Sequence, residues 1–99
     1  MANFAKKTIM SFNVTKIIDG DTFEVDPDWK WDDNNGDRVR IANFDATELN
    51  DWGGKSAKQK LEDLIEGENV ELKNPVNLSY GRLVCDVYYK GKDVKKQLS

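Results

Sequence analysis

The sequence contains no histidine and only one cysteine, Cys85. A single cysteine cannot form a disulfide within the chain, and a thiolate–imidazole zinc site is excluded without histidine. Ser-His-Asp and Cys-His catalysis also require an imidazole, so both are excluded. Any acid–base chemistry must therefore use Asp, Glu, Tyr, Lys or bound water.

Long apolar segments are also missing from the sequence. No run approaches the ~20 residues of a membrane-spanning helix, and residues 1–11 lack the apolar centre of a signal peptide. We therefore expect no membrane partner, and the sequence leaves the compartment open. The 99 residues predict one monomeric domain over residues 12–99, preceded by an N-terminal extension over residues 1–11.

The chain lacks an excess of basic residues, since 15 Lys and Arg against 18 Asp and Glu give a formal net charge of −3. A negative chain argues against a nucleic-acid partner, because phosphate binding usually needs a basic surface. However, residues 26–37 hold five Asp and one Lys, whereas residues 79–99 carry a net charge of +3. The acidity is therefore concentrated in one segment, and a nucleic-acid partner is not excluded.

Short β-strand patterns separated by turn residues dominate the chain. Asp19-Gly20-Asp21 is typical of a tight turn between two strands. Alternation around Val39 places Arg38 and Arg40 on one strand face, and Asn74-Pro75 is expected to end the fourth strand. We predict five strands, at residues 12–18, 22–25, 38–42, 70–72 and 82–89.

The acidic segment 26–37 is predicted to be a long polar connection. Alignment of Gly36 with the invariant glycine of an EF-hand places Trp31 at the first ligand position, so that calcium loop is excluded. Trp29 and Trp31 could stack on bases, but we expect them to pack the connection onto the rim of the fold.

One amphipathic helix is predicted between the third and fourth strands, because apolar residues recur at helical spacing from Ala57 to Ile65. Ser56 and Gln59 have the spacing of a capping box, and Gly67 is a plausible stop. Val94 and Leu98 suggest a last helical turn. Five strands with one inserted helix predict a mainly β (α+β) barrel of the oligonucleotide/oligosaccharide-binding (OB) type.

Three segments together carry the residues that metal-assisted cleavage of a phosphodiester requires. Asp21 and Asp45 are carboxylates suited to a hard cation, and Glu48 is suited to handling water. Arg40 and Arg82 are suited to phosphate oxygens, because a guanidinium matches them in two-point geometry.

These segments resemble the staphylococcal nuclease (thermonuclease) family. The resemblance covers about residues 12 to 98 and rests on the order and spacing of its motifs. They are Ile17-Ile18-Asp19-Gly20-Asp21-Thr22-Phe23, Val39-Arg40-Ile41-Ala42-Asn43-Phe44-Asp45-Ala46-Thr47-Glu48-Leu49 and Tyr80-Gly81-Arg82-Leu83. It implies a calcium-dependent nuclease acting on single-stranded DNA and RNA.

The resemblance also implies a role for each site residue. Calcium is bound by Asp21, Asp45 and the backbone carbonyl of Ala46. The catalytic residues are Arg40 and Arg82, which bind the scissile phosphate, and Glu48, which orients or deprotonates the attacking water. The substrate-binding residue is Tyr80, whose ring lies beside a bound nucleotide.

The chain departs from the family at three points. Ala46 and Thr47 stand where the family usually has Thr and Pro, and segment 26–37 is longer than usual. The family's C-terminal helices are expected to be missing, because the chain stops near the second of them. Two other functions remain open: a non-catalytic nucleic-acid- or protein-binding barrel, and a structural calcium-binding domain, which would not need both arginines.

Overall fold

The computed structural model describes residues 8–44 and 52–98, with side chains for residues 11–44 and 56–98. Its strands are β1 (Thr8–Asp19), β2 (Thr22–Trp31), β3 (Asn34–Ile41), β4 (Asn69–Ser79), β5 (Arg82–Tyr89) and β6 (Lys92–Asp93). The helices are α1 (Trp52–Ile65) and α2 (Val94–Leu98).

The five long strands form a closed barrel. The strand order is β3-β2-β1-β4-β5-β6, and a parallel pairing between β3 and β5 closes the barrel. That pairing aligns Arg38 with Arg82 and Ile41 with Cys85. With α1 between the third and fourth strands, this confirms the predicted OB-type barrel. The predicted final helical turn is also confirmed, as α2.

The barrel core is filled by alternate residues of the strands. Val39 and Ile41 of β3 are buried, as are Leu83 and Cys85 of β5. Burial, together with the charge of Asp86, raises the pKa of the Cys85 thiol to about 12. Cys85 therefore remains protonated and packs as a small apolar group, as its alternating pattern predicts.

The first and fourth strands are longer than the sequence predicts. β1 begins at Thr8, within the segment assigned to an N-terminal extension, and Thr8 pairs with Lys73 of β4. β4 continues past Asn74-Pro75 to Ser79, so the predicted end of this strand is wrong. Proline fits there because the pairing with β5 is irregular between Lys73 and Asn77, and a bulge tolerates the missing N–H donor.

The segment 26–37 forms a β-ribbon, so the prediction of a long polar connection is wrong. β2 and β3 extend beyond the barrel as a hairpin, in which Trp29 pairs with Gly36 and Trp31 with Asn34. Trp29 is 1% exposed, and its Nε1–H donates to the Arg38 carbonyl at 2.7 Å. This hydrogen bond and the packing of the indole stabilise the ribbon despite its five Asp residues. The prediction that the tryptophans pack this segment onto the barrel is confirmed.

Helix α1 begins at Trp52, so the predicted capping box is wrong. Ser56 lies inside the helix, and Gln59 donates through Nε2 to Asp63 Oδ1 at 2.8 Å. The predicted apolar face is confirmed, because Leu61 and Ile65 are buried against the barrel. Gly67 follows the helix with a φ of 80°, a conformation that glycine adopts without steric cost. Among the described residues, no helix is long and apolar enough to cross a membrane.

We expect the packing of Trp29 on Gly36 to be sensitive to a single methyl group. An added Cβ at Gly36 would lie 2.8 Å from Trp29 Cζ2, and the buried ring has little room to move. Gly36→Ala should lower the free energy of unfolding by about 1–3 kcal/mol, as overpacking does. Urea denaturation measures this change. The cost should shrink in a Trp29→Phe background, whose smaller ring removes the clash; an equal cost in both backgrounds would contradict this packing.

Candidate nucleic-acid site

Two tight turns carry two of the four described site residues, Asp21 and Tyr80. The β1–β2 turn contains Gly20 and Asp21, and the β4–β5 turn contains Tyr80 and Gly81. The φ angles of Tyr80 and Gly81 are 52° and 78°, as in the type I′ turn that suits a two-residue hairpin. The two turns are joined by a hydrogen bond from Arg82 Nη1 to Thr22 Oγ1, at 3.2 Å.

Asp21 is held at the start of β2 by its neighbours in the turn. Its backbone N–H donates to Asp19 Oδ1 at 3.1 Å, so the Asp19 side chain shapes the turn. The Thr22 hydroxyl donates to Asp21 Oδ1 at 2.9 Å. The second carboxylate oxygen, Oδ2, lies 3.3 Å from Arg40 Nη2. Both oxygens are therefore oriented by named contacts, although the side chain remains 13% exposed.

Arg40 projects from β3 beside Asp21. Its strand position is fixed by pairing with Thr22 and by the hydrogen bond from the Ile41 N–H to the Asp21 carbonyl, at 3.0 Å. The guanidinium also donates from Nη1 to the Ile41 carbonyl, at 3.1 Å. One side of the β2–β3 pair thus presents a carboxylate and a guanidinium in direct contact.

Arg82 is held more firmly than an ordinary strand arginine. Its Nε–H donates to the Ser79 carbonyl at 3.0 Å, and Nη2 lies 3.4 Å from the Ser79 hydroxyl. With the Thr22 contact from Nη1, three of the five N–H donors of the guanidinium are engaged. One N–H on each Nη nitrogen remains without an acceptor among the described residues. These two N–H groups are donors of the kind that bind phosphate oxygens.

Tyr80 lies at the tip of the β4–β5 turn and is 96% exposed. The Arg82 guanidinium lies 5.9 Å from the centre of its ring. An exposed ring next to an arginine offers a surface on which a base can stack. The structure therefore brings Asp21, Arg40 and Arg82 together and leaves Tyr80 at the rim.

Burial is the main cause that raises the pKa of Asp21 above its ordinary value. The hydrogen bond and charge of Asp19 act in the same direction, whereas Thr22 and Arg40 lower the pKa without offsetting the rise. The ionised carboxylate is therefore poorly stabilised by its protein surroundings. A cation nearby would stabilise the charged form.

The described part of the predicted metal site fits a hard cation. Asp21, the predicted ligand whose side chain is described, supplies carboxylate oxygens, the donors that calcium prefers. Among residues whose side chains are described, no cluster of three or more His, Cys, Asp or Glu could hold a metal ion. The other predicted ligands, Asp45 and Ala46, and the predicted catalytic Glu48 lie outside the described residues.

Thr22 and Ser79 are supporting residues that the sequence analysis missed. Thr22 is 2% exposed and its hydroxyl connects Asp21 to Arg82. Ser79 holds Arg82 through its carbonyl and its hydroxyl. Each directly precedes or follows a turn motif, which was the available signal, but a Thr or Ser at a strand end is too common to indicate such a role.

No family model matches the chain. The chain is similar to proteins named uncharacterized endonuclease. The relative from Haemophilus influenzae is 32% identical over 85 residues, which cover 86% of this chain and 46% of the relative. A relative from Escherichia coli O157:H7 is 31% identical over 75 residues, covering 76% of this chain and 46% of the relative. The chain thus spans about half the length of the curated relatives it matches, and its membership of the staphylococcal nuclease family remains a prediction.

Proposed function

We propose that this chain provides the barrel of a calcium-dependent nuclease that hydrolyses phosphodiester bonds of DNA and RNA. The observation that carries the proposal is the fixed guanidinium of Arg82, with one N–H on each Nη nitrogen available to a phosphate, close to the contacting pair Asp21 and Arg40. The similarity to proteins named as endonucleases supports the same activity.

The two arginines bind the substrate phosphate and stabilise its charge. In-line displacement adds negative charge to the phosphate oxygens, so preorganised donors contribute most to the rate. Arg82 is preorganised by Ser79 and Thr22, and Arg40 by the Ile41 carbonyl and Asp21. Because neither guanidinium needs to be ordered when substrate arrives, both can act as fixed donors.

Glu48 is the residue we assign to the attacking water. It accepts a proton as the water oxygen bonds to phosphorus, and the sugar oxygen leaves with the electron pair of its bond to phosphorus and takes a proton from solvent. The chain has no histidine for this task. Asp21, Asp45 and the Ala46 carbonyl would hold calcium, which when bound supplies positive charge that polarises the phosphate. Tyr80 would stack on a base beside the site.

The charge on Asp21 should lower stability when calcium is absent. Because its folded pKa lies above the unfolded value, the folded state holds the proton more tightly, and stability falls as pH rises through that interval. Asp21→Asn keeps an oxygen acceptor for Thr22 but removes the charge. In calcium-free buffer at pH 7 it should raise the melting temperature by a few degrees, and the gain should vanish below the ordinary Asp pKa.

Calcium distinguishes the metal role from simple charge removal. It should raise the melting temperature of the parent by mass action and have little effect on Asp21→Asn. Asp33→Asn, which removes an exposed charge from the ribbon turn, is the matched control and should respond like the parent. If calcium stabilises parent and Asp21→Asn equally, Asp21 is not a ligand.

The catalytic assignment predicts large losses from two conservative changes. Glu48→Gln should lower turnover about 10²–10⁴-fold through loss of general-base assistance, with almost unchanged calcium affinity. Arg82→Lys should lower it about 10²–10³-fold, as loss of one preorganised donor does, because an ammonium cannot reproduce the planar fork. Cleavage of labelled single-stranded DNA, with calcium and with a chelator, measures both changes.

The same assay separates the nuclease from the non-catalytic barrel. Glu66→Gln, an identical change at an exposed position just after α1, should cut at the parental rate. Parental rates for Glu48→Gln and Arg82→Lys would remove both residues from the catalytic set. A parent that binds DNA and does not cut it with calcium would identify the chain as a binding module.

A further inference from the structure

A third arginine, Arg38, lies on the same outer face of the barrel as Arg40 and Arg82. In the parallel β3–β5 pairing Arg38 is directly aligned with Arg82, so their backbones are about 4.8 Å apart. Arg38 also precedes Arg40 by two residues on β3, a separation of about 6.6 Å on one strand face. The three residues therefore lie close together on the sheet, and Arg38 is the one nearest the ribbon.

The backbone of Arg38 is fixed by a buried side chain. Its carbonyl accepts the hydrogen bond from Trp29 Nε1, and Trp29 itself is packed in the core. The base of the ribbon thus determines where the Arg38 side chain leaves the strand. An anchored backbone lowers the entropy cost of using this long side chain as a binding group.

The Arg38 side chain is 52% exposed and has one carboxylate neighbour, Glu24 Oε2, at 3.3 Å from Nε. Even a two-point contact with one carboxylate uses only two of the five N–H donors of a guanidinium. The ion pair is also partly exposed to water, where such pairs contribute little to stability. Arg38 can therefore bind a second anion without losing a structural contact on which the barrel depends.

We propose that Arg38 forms a second phosphate subsite, which binds the phosphodiester next to the one held by Arg40 and Arg82. The inference rests on the proposed nuclease function and specifies its substrate as a polynucleotide strand with at least two consecutive phosphodiesters. The strand runs from the β3–β5 pair towards the ribbon base. Exposed carboxylates of the ribbon, Asp28 and Asp37, repel further phosphates and end the basic track there.

Binding measured without cleavage tests the subsite. The probe is a fluorescent oligothymidylate of about eight nucleotides, within the range bound by a small barrel, with chelator present over a series of salt concentrations. Arg38→Gln should weaken its binding about tenfold, the lower end for a hydrogen bond to a charged group. It should also reduce the slope of log affinity against log salt by about 0.7, the value for one contact to a single strand. Binding of dTpdT, which has one phosphodiester, should change less than twofold.

Two further variants control for charge and folding. Lys30→Gln removes an exposed positive charge from the ribbon and should leave the oligothymidylate slope at the parental value. Glu24→Gln keeps Arg38 and removes its competing carboxylate, so it should tighten oligothymidylate binding and leave dTpdT unchanged. Glu24→Gln therefore tests the subsite even if Arg38→Gln folds poorly.

The subsite is overturned if Arg38→Gln keeps the parental slope, or if it weakens dTpdT as much as the longer strand. It is also overturned if Glu24→Gln fails to strengthen oligothymidylate binding. These binding results are independent of catalysis. A parent that binds the strand and does not cut it with calcium refutes the proposed nuclease. The slope of log affinity against log salt then still tests the role of Arg38. A parent that binds neither probe refutes the subsite, and a parent that also fails to cut DNA with calcium refutes the nuclease as well.

Discussion

The parallel pairing of β3 with β5 is the constraint on which the barrel and its candidate site both depend. It closes the barrel by joining two strands that are distant in sequence. The same pairing aligns Arg38 with Arg82 and Arg40 with Val84, and the Ala42 N–H continues it to the Cys85 carbonyl. Inward residues of these strands pack in the core. Because side chains alternate between the two faces, this packing also fixes the backbone positions of the outward arginines.

Strand pairing fixes the backbone of an arginine, and hydrogen bonds to hydroxyl groups then fix the position of its side chain. The buried Thr22 hydroxyl donates to Asp21 and accepts from Arg82, so one side chain sets the relative position of a carboxylate and a guanidinium from different segments. Such a bridge is strong where water is excluded. Because Thr22 is almost completely buried, the geometry of the site is coupled to the integrity of the barrel end.

Much of this fold could be predicted from the sequence, because period-two alternation around Val39 and Leu83 and helical spacing of Leu61 and Ile65 are strong local signals. The ribbon could not, since its composition favours a loop and its stability comes from Trp29 reaching the Arg38 carbonyl. Within the candidate site, motif order predicted Asp21, Arg40 and Arg82 as a set; the structure places them close together through Thr22, and their roles stay predictions. No local signal indicated the Thr22 bridge or the alignment with Arg38, because both arise from pairings between distant segments.

The distribution of charge reconciles an acidic chain with a polyanionic substrate. Five Asp residues lie in segment 26–37: two on β2, one on β3 next to Arg38, and two in the turn at the ribbon tip. Charges separated by more than about 8–10 Å interact weakly at physiological salt, so the carboxylates of the ribbon tip do not cancel the attraction of the arginine face. They oppose phosphate binding only where they lie close to it, at the ribbon base. The net charge of −3 therefore does not predict whether this surface binds phosphate, because binding depends on the charged groups nearest to the phosphate.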